Sequence, residues 1–156
     1  MSVQEMSLEE IVRQAIKAEE EARSFYEAAS KMVAAAHVQA TLQELAGEEV
    51  KHKTKLEGLL RGDVEKLVPR QKSRQIQDLQ LAEYLVAQPL DKDATFQDVL
   101  LVAMQREKAS HDFYALMAGV VATEAAKNLF EFLAQEELGH KNKIEVLYDE
   151  VIYKEF

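Results

Sequence analysis

The stretch LAQEELGHKNKIE, residues 133–145, has apolar residues at helical spacing, Leu133 and Ile144 among them, yet sets Glu137 and His140 on the same face. An earlier stretch, LAGEEVKHKTKLE at 45–57, repeats the pattern with Glu49 and His52 in the matching places. A core-facing stripe that carries ionisable groups in its middle needs a reason, because burying an uncompensated charge is costly. Its recurrence points to a common purpose.

Working outward from the pair, residues 7–60 align without a gap on 95–148 at a constant offset of 88, and 15 of the 54 aligned pairs are identical. Average composition gives about four such matches, at roughly one in fifteen. The chain therefore reads as a duplicated helix pair within a single domain spanning 1–156, its halves joined by a connection over 61–94. Each half opens with a hydroxyl N-cap and an acid three residues on, Ser7 with Glu10 and Thr95 with Asp98, as helix starts do.

Four seams, stepping alternately by four and three, follow from that register. The first helix gives Leu8, Val12, Ala15, Glu19, Ala22, Tyr26, Ala29 and Val33. After a short Ala-rich connection near 34–36, the second gives Val38, Leu42, Leu45, Glu49, His52, Leu56 and Leu59. The third gives Phe96, Leu100, Ala103, Glu107, Ser110, Tyr114, Met117 and Val121. The fourth gives Ala126, Phe130, Leu133, Glu137, His140, Ile144, Leu147 and Val151. Each seam is apolar towards its ends and polar in its middle.

The short connections make the helices of each half antiparallel neighbours. A helix of about 25 residues is roughly 37 Å long at 1.5 Å per residue, and the 61–94 connection is long enough to run back along it. The expected fold is all-α, an antiparallel four-helix bundle with one long crossover between helices 2 and 3. Within that crossover, Ile76, Leu79, Leu85 and Val86 are spaced for a short helix against the bundle. The closing VLYDEVIYKEF continues the apolar stripe through Tyr148, Val151 and Ile152, to cover a bundle end or a neighbouring subunit.

Composition narrows the functional classes. Five Gly and two Pro in 156 residues, against 47 % apolar and 30 % charged side chains, describe a helical globular domain. A net charge of -9 argues against nucleic-acid binding and gives no help to binding an anionic membrane. No run approaches the roughly 20 apolar residues of a membrane span, and MSVQEMSLEE lacks the features of a secretory leader, so a cytoplasmic location is expected. The absence of cysteine excludes thiolate metal sites and disulfides, so electrons for any redox chemistry must come from an external donor.

Residues i and i+3 of a helix share a face, so Glu49 with His52, and Glu137 with His140, each present an oxygen and a nitrogen to one point. Glu19 and Glu107 hold the middle of the other two seams, completing a set of four Glu and two His. In AEEEARSFY only Glu19, not Glu20 or Glu21, lies on the seam and maps onto Glu107. Glu48 and Glu136 repeat too, but off the seam. Four carboxylates neutralise two divalent cations, whereas without cations they would repel one another and some would be protonated. Mixed oxygen and imidazole ligation suits iron or manganese, with zinc also compatible. Glu49 and Glu137 are expected to bridge, with Glu19 and His52 on one metal and Glu107 and His140 on the other. Tyr26 and Tyr114 follow a seam Glu by seven residues, in reach of a carboxylate from the opposite half. His37 and His111 have no repeat partner and are read as non-ligands. Glu57 and Glu145 are read as surface charges, and Arg70, Lys72 and Arg74 as the one basic cluster.

Glu19 with Phe25-Tyr26, Glu49-Val-Lys-His52, Glu107 with Phe113-Tyr114, and Glu137-Leu-Gly-His140 together resemble the rubrerythrin group of the ferritin-like superfamily. The resemblance covers nearly the whole chain. It implies a non-haem di-iron carboxylate protein, an oxidoreductase of peroxidase or oxidase type reacting with hydrogen peroxide or dioxygen, with a donor protein for electrons and a homodimeric state. Its alternative is an iron-binding or storage module. The chain departs from rubrerythrin proper in carrying Ser110 where that protein has a further Glu, and in lacking its Cys-ligated rubredoxin domain. It departs from the similar bacterioferritin in carrying Val50 where that protein has a haem-ligating Met.

Overall fold

A computed structural model describes residues 8–62 and 93–153. Four α-helices run α1 (Leu8–Ser30), α2 (Ala36–Leu60), α3 (Phe96–Val120) and α4 (Glu124–Tyr153). Ser7 and the proposed helix around Ile76 to Val86 lie outside the described residues, as do Arg70, Lys72 and Arg74. Among the described helices none is long and apolar enough to cross a membrane.

Thr95 caps α3 as its sequence predicts: its Oγ1 accepts from the Asp98 N–H at 3.1 Å, and its own N–H donates to Asp98 Oδ2 at 3.0 Å. The short Asp side chain thus completes the reciprocal pair. At the start of α4, Thr123 Oγ1 accepts from the Ala126 N–H at 3.2 Å. The seam is longer than the helix in two places. α1 stops at Ser30 rather than continuing to Val33, because Lys31 and Met32 donate to carbonyls only three residues back, Ala28 and Ala29, tightening and ending the last turn. α3 stops at Val120, and Val121 is extended.

Most seam positions are buried as the period requires, with Ala22, Val33, Leu59, Phe96, Ser110, Val121 and Val151 only partly so, and the buried ones define the topology. One apolar cluster joins Ile11, Val12 and Ala15 of α1 with Leu56 of α2, Phe113 and Met117 of α3, and Phe130 and Leu133 of α4. The other joins Tyr26 and Ala29 of α1 with Val38, Leu42 and Leu45 of α2, Val99 and Leu100 of α3, and Ile144 and Leu147 of α4. So α1 begins where α2 ends, and α3 ends where α4 begins. The C-terminus of α2 and the N-terminus of α3 lie at opposite ends, so the connection between the halves joins opposite ends of the bundle. Each fully buried Leu or Phe contributes about 1.5–3 kcal/mol. Beyond the second cluster, Tyr148 and Val151 pack as partly buried side chains, and the Tyr148 hydroxyl accepts from Gln97 Nε2 at 2.8 Å. The C-terminal stripe therefore covers the end of its own bundle. Between the two clusters each helix carries its polar seam residues inward.

Candidate metal centre

Glu19, Glu49, His52, Glu107, Glu137 and His140 are all gathered in that middle layer, none more than 3 % exposed. Ala15 and Ala103, one turn before Glu19 and Glu107, are fully buried and small enough to let α1 and α3 close on the site. His52 Nδ1 lies 2.7 Å from Glu137 Oε1, 3.6 Å from Glu19 Oε2 and 4.0 Å from Glu49 Oε2. His140 Nδ1 lies 2.8 Å from Glu49 Oε1, 3.7 Å from Glu107 Oε2 and 4.0 Å from Glu137 Oε1. The two sets of distances agree to 0.1 Å, so the offset of 88 in sequence is a pseudo-twofold relation in space. The imidazoles face each other nearly parallel, 12° apart with centroids at 5.3 Å.

These short approaches are not hydrogen bonds. Glu19 Oε2, Glu49 Oε1, His52 Nδ1, Glu107 Oε2, Glu137 Oε1 and His140 Nδ1 are buried without a hydrogen-bond partner, one atom from each of the six residues. Six orphaned donor atoms aimed at one another are expensive for an empty core and are what a cation site requires. They fall into two overlapping sets, Glu19, Glu49, His52 and Glu137, and Glu49, Glu107, Glu137 and His140, with the ligand atoms of each within 4.8 Å of one another. Glu49 and Glu137 belong to both. The donor set, three carboxylates and an imidazole for each position, fits a borderline divalent metal.

The outer carboxylate oxygens are held from across the bundle. The Tyr26 hydroxyl of α1 donates to Glu107 of α3, and the Tyr114 hydroxyl of α3 donates to Glu19 of α1 at 2.6 Å. Burial, with the Glu107 charge beside Tyr26 and the Glu19 charge beside Tyr114, pushes both phenols well above 10.0. They are therefore fixed donors. Burial and then the neighbouring Glu19 push Glu49 well above the usual carboxylate range, and burial and then Glu107 do the same to Glu137. Burial also raises Glu19, but Glu49, His52 and the Tyr114 hydroxyl together outweigh it and hold Glu19 below its ordinary value. Burial lowers His52, but Glu19 and the acids beyond it outweigh that and leave it above its ordinary value. The shifts of Glu49, Glu137 and His52 all favour the protonated form, and that of Glu19 favours the charged one.

The remaining titratable residues stand apart. His37 pairs with Glu150 at 2.5 Å on the surface, and His111 pairs with Asp112 at 3.1 Å, neither near the six. Glu145 pairs with Lys141, and Glu57 is exposed. Glu136, off the seam, nevertheless sits 3.8 Å from His52 Nε2, on the imidazole edge away from the centre. The repetition of Glu48 and Glu136 was the signal for it, but Glu48 pairs instead with Lys51 at 3.3 Å.

A bundle with this topology and a buried layer of four Glu and two His is a ferritin-like, di-iron-carboxylate type of fold. Residues 10–148 match the family model described as Rubrerythrin, and the chain belongs to the rubrerythrin family. Two solved structures are similar. A hypothetical protein from Pyrococcus furiosus is 27 % identical, with a TM-score of 0.69 over 96 % of this chain and 94 % of its own. A protein from Thermotoga maritima, described as a ferritin-like diiron-carboxylate protein, is 19 % identical, with a TM-score of 0.70 over 94 % of this chain and 97 % of its own. No curated protein matches the chain.

Proposed function

We propose that this is a non-haem di-iron protein whose six inward side chains hold two iron ions and which reduces hydrogen peroxide or dioxygen with electrons from a separate donor protein. The observation that carries this reading is the pair of overlapping ligand sets sharing Glu49 and Glu137, each made of otherwise orphaned atoms. Glu49 and Glu137 would bridge, Glu19 and His52 would complete one position, and Glu107 and His140 the other. A bound pair of redox-active metals supplies Lewis acidity and two one-electron changes at one place. The chain itself supplies the frame. Tyr114 and Tyr26 fix the orientation of Glu19 and Glu107, and their high pKa values keep each hydroxyl proton on its oxygen at neutral pH. The apolar clusters on either side close the middle layer off from the two ends of the bundle.

The test is metal analysis of protein purified without added iron, followed by mixing the ferrous protein with peroxide. Two irons per chain, a mass near that of a homodimer, and oxidation many times faster than aqueous ferrous ion are expected. A large hollow oligomer with many irons per chain would replace this reading with iron storage. Loss of no metal on replacing Glu49 and His52 by Leu would overturn both.

A further inference from the structure

Between α1 and α2 a cleft of about 380 Å³ runs from the surface to the centre. Its floor is Glu19 and Glu49, and its walls are Glu20, Arg23, Ser24, Val50 and Lys53. Each of the two floor carboxylates carries one buried oxygen without a hydrogen-bond partner. Across the mouth, Lys53 Nζ of α2 meets Glu20 Oε1 of α1 at 2.8 Å. The pseudo-twofold relation does not extend to the side chains that line this cleft. A cleft between α3 and α4 lies nearer the end of α3, where it is lined by His111, Ala118, Lys127 and Glu131 among others and by none of the six inward residues. The sequence explains the divergence: at the offset of 88, Glu20, Arg23, Ser24 and Val50 become Lys108, His111, Asp112 and Leu138.

The geometry points to the α1–α2 cleft as the entrance to the centre, admitting small anions of the size of hydroperoxide to the position held by Glu19 and His52. This rests on the metal-centre reading above. At the mouth two cations, Arg23 and Lys53, flank Glu20, with Arg23 also 3.8 Å from Glu27 on its own helix, in a chain whose net charge is -9. Past Glu20 the same face continues into a groove lined by three cations, Arg13, Lys17 and Arg61, and by two acids, Glu20 and Glu57. Arg13 is held by Glu9 at 2.7 Å, while the residues matching Arg13, Lys17 and Arg61 on the other pair are Leu101, Gln105 and Asp149. Cationic side chains along one face raise the local concentration of an approaching anion and speed its arrival. The Glu20–Lys53 pair spans the two helices, so it acts as a latch whose acid also opposes the anion.

The probe is azide, mixed by stopped flow with oxidised, iron-loaded protein and followed by its absorption on ferric iron. Ser24 is exposed, so Ser24→Trp should fill the cleft without disturbing the fold and slow azide association roughly tenfold or more at unchanged iron content. Glu20→Gln removes the opposing charge and loosens the latch, and should speed association. The matching variants Asp112→Trp and Lys108→Gln should stay within roughly twofold of the parent. An Asp112→Trp effect equal to that of Ser24→Trp, or no effect of Ser24→Trp, overturns the entrance while leaving the metal centre standing. Failure of the parent protein to take up iron overturns both.

Discussion

At either end of the bundle the seam is filled by Leu42, Leu100, Phe130 and Ile144, while in its middle the same seam holds four carboxylates and two imidazoles, equally buried. The end layers are stable by themselves, because each apolar side chain gains by leaving water. The middle layer is stable only with something that compensates its charges, and its protons or its metals do that. One period of sequence thus encodes two kinds of core, and the difference between them can be measured.

The largest effect is expected from stripping metal. At a thousandfold excess over Kd each bound metal adds about 4 kcal/mol of stability, so chelation should lower the thermal midpoint by on the order of 20 °C for two metals in a domain of this size. A midpoint indifferent to chelator would put the middle layer in the same class as the ends. Next comes Phe130→Ala in the end layer. It should cost about 3–5 kcal/mol in urea denaturation, by the same amount with and without metal, and leave metal content unchanged. Replacing one close pair of the middle layer, Glu137→Leu together with His52→Leu, should reverse that sign in metal-free protein. A gain of about 1–4 kcal/mol in the same urea assay is expected, with loss of metal seen by elemental analysis.

The gentlest probe is pH. The raised carboxyls Glu49 and Glu137 add stability that is complete below their ordinary value of 4.5 and is lost as pH rises through their higher folded values. His52, raised from 6.5, acts in the same direction at higher pH, and Glu19, lowered, opposes only as pH falls below 4.5. The midpoint of the metal-free protein should therefore fall from about pH 5 to neutrality. That of the metal-loaded protein should rise over the same range, since metal competes with those protons. Parallel curves for the two forms would contradict the exchange of protons for metal.

What could be read from the sequence was whatever depends on position along one helix. Period alone placed Leu42, Leu100 and Phe130 in the core and drew Glu19 apart from Glu20, because a single residue turns a side chain 100° around the axis. The offset of 88 paired Glu19 with Glu107 and Tyr26 with Tyr114. Where the helices end was less legible: the tightened turn after Ser30 leaves Val33 outside α1 although it fits the seam. Relations across the bundle were not legible at all. Glu136 approaches His52 from another helix, and Lys53 reaches Glu20 across the groove, and both depend on how helices rotate and cross rather than on any spacing within them. The cleft that Glu20 and Lys53 line was invisible for the same reason.

The two tyrosines carry a consequence for how such a chain can change. A duplicated segment ordinarily leaves one copy spare, free to drift while the other keeps working. Here the hydroxyl from each copy grips the carboxylate of its twin, so a loss in either is felt in the opposite half. Cross-bracing makes the two similar halves mutually dependent rather than redundant.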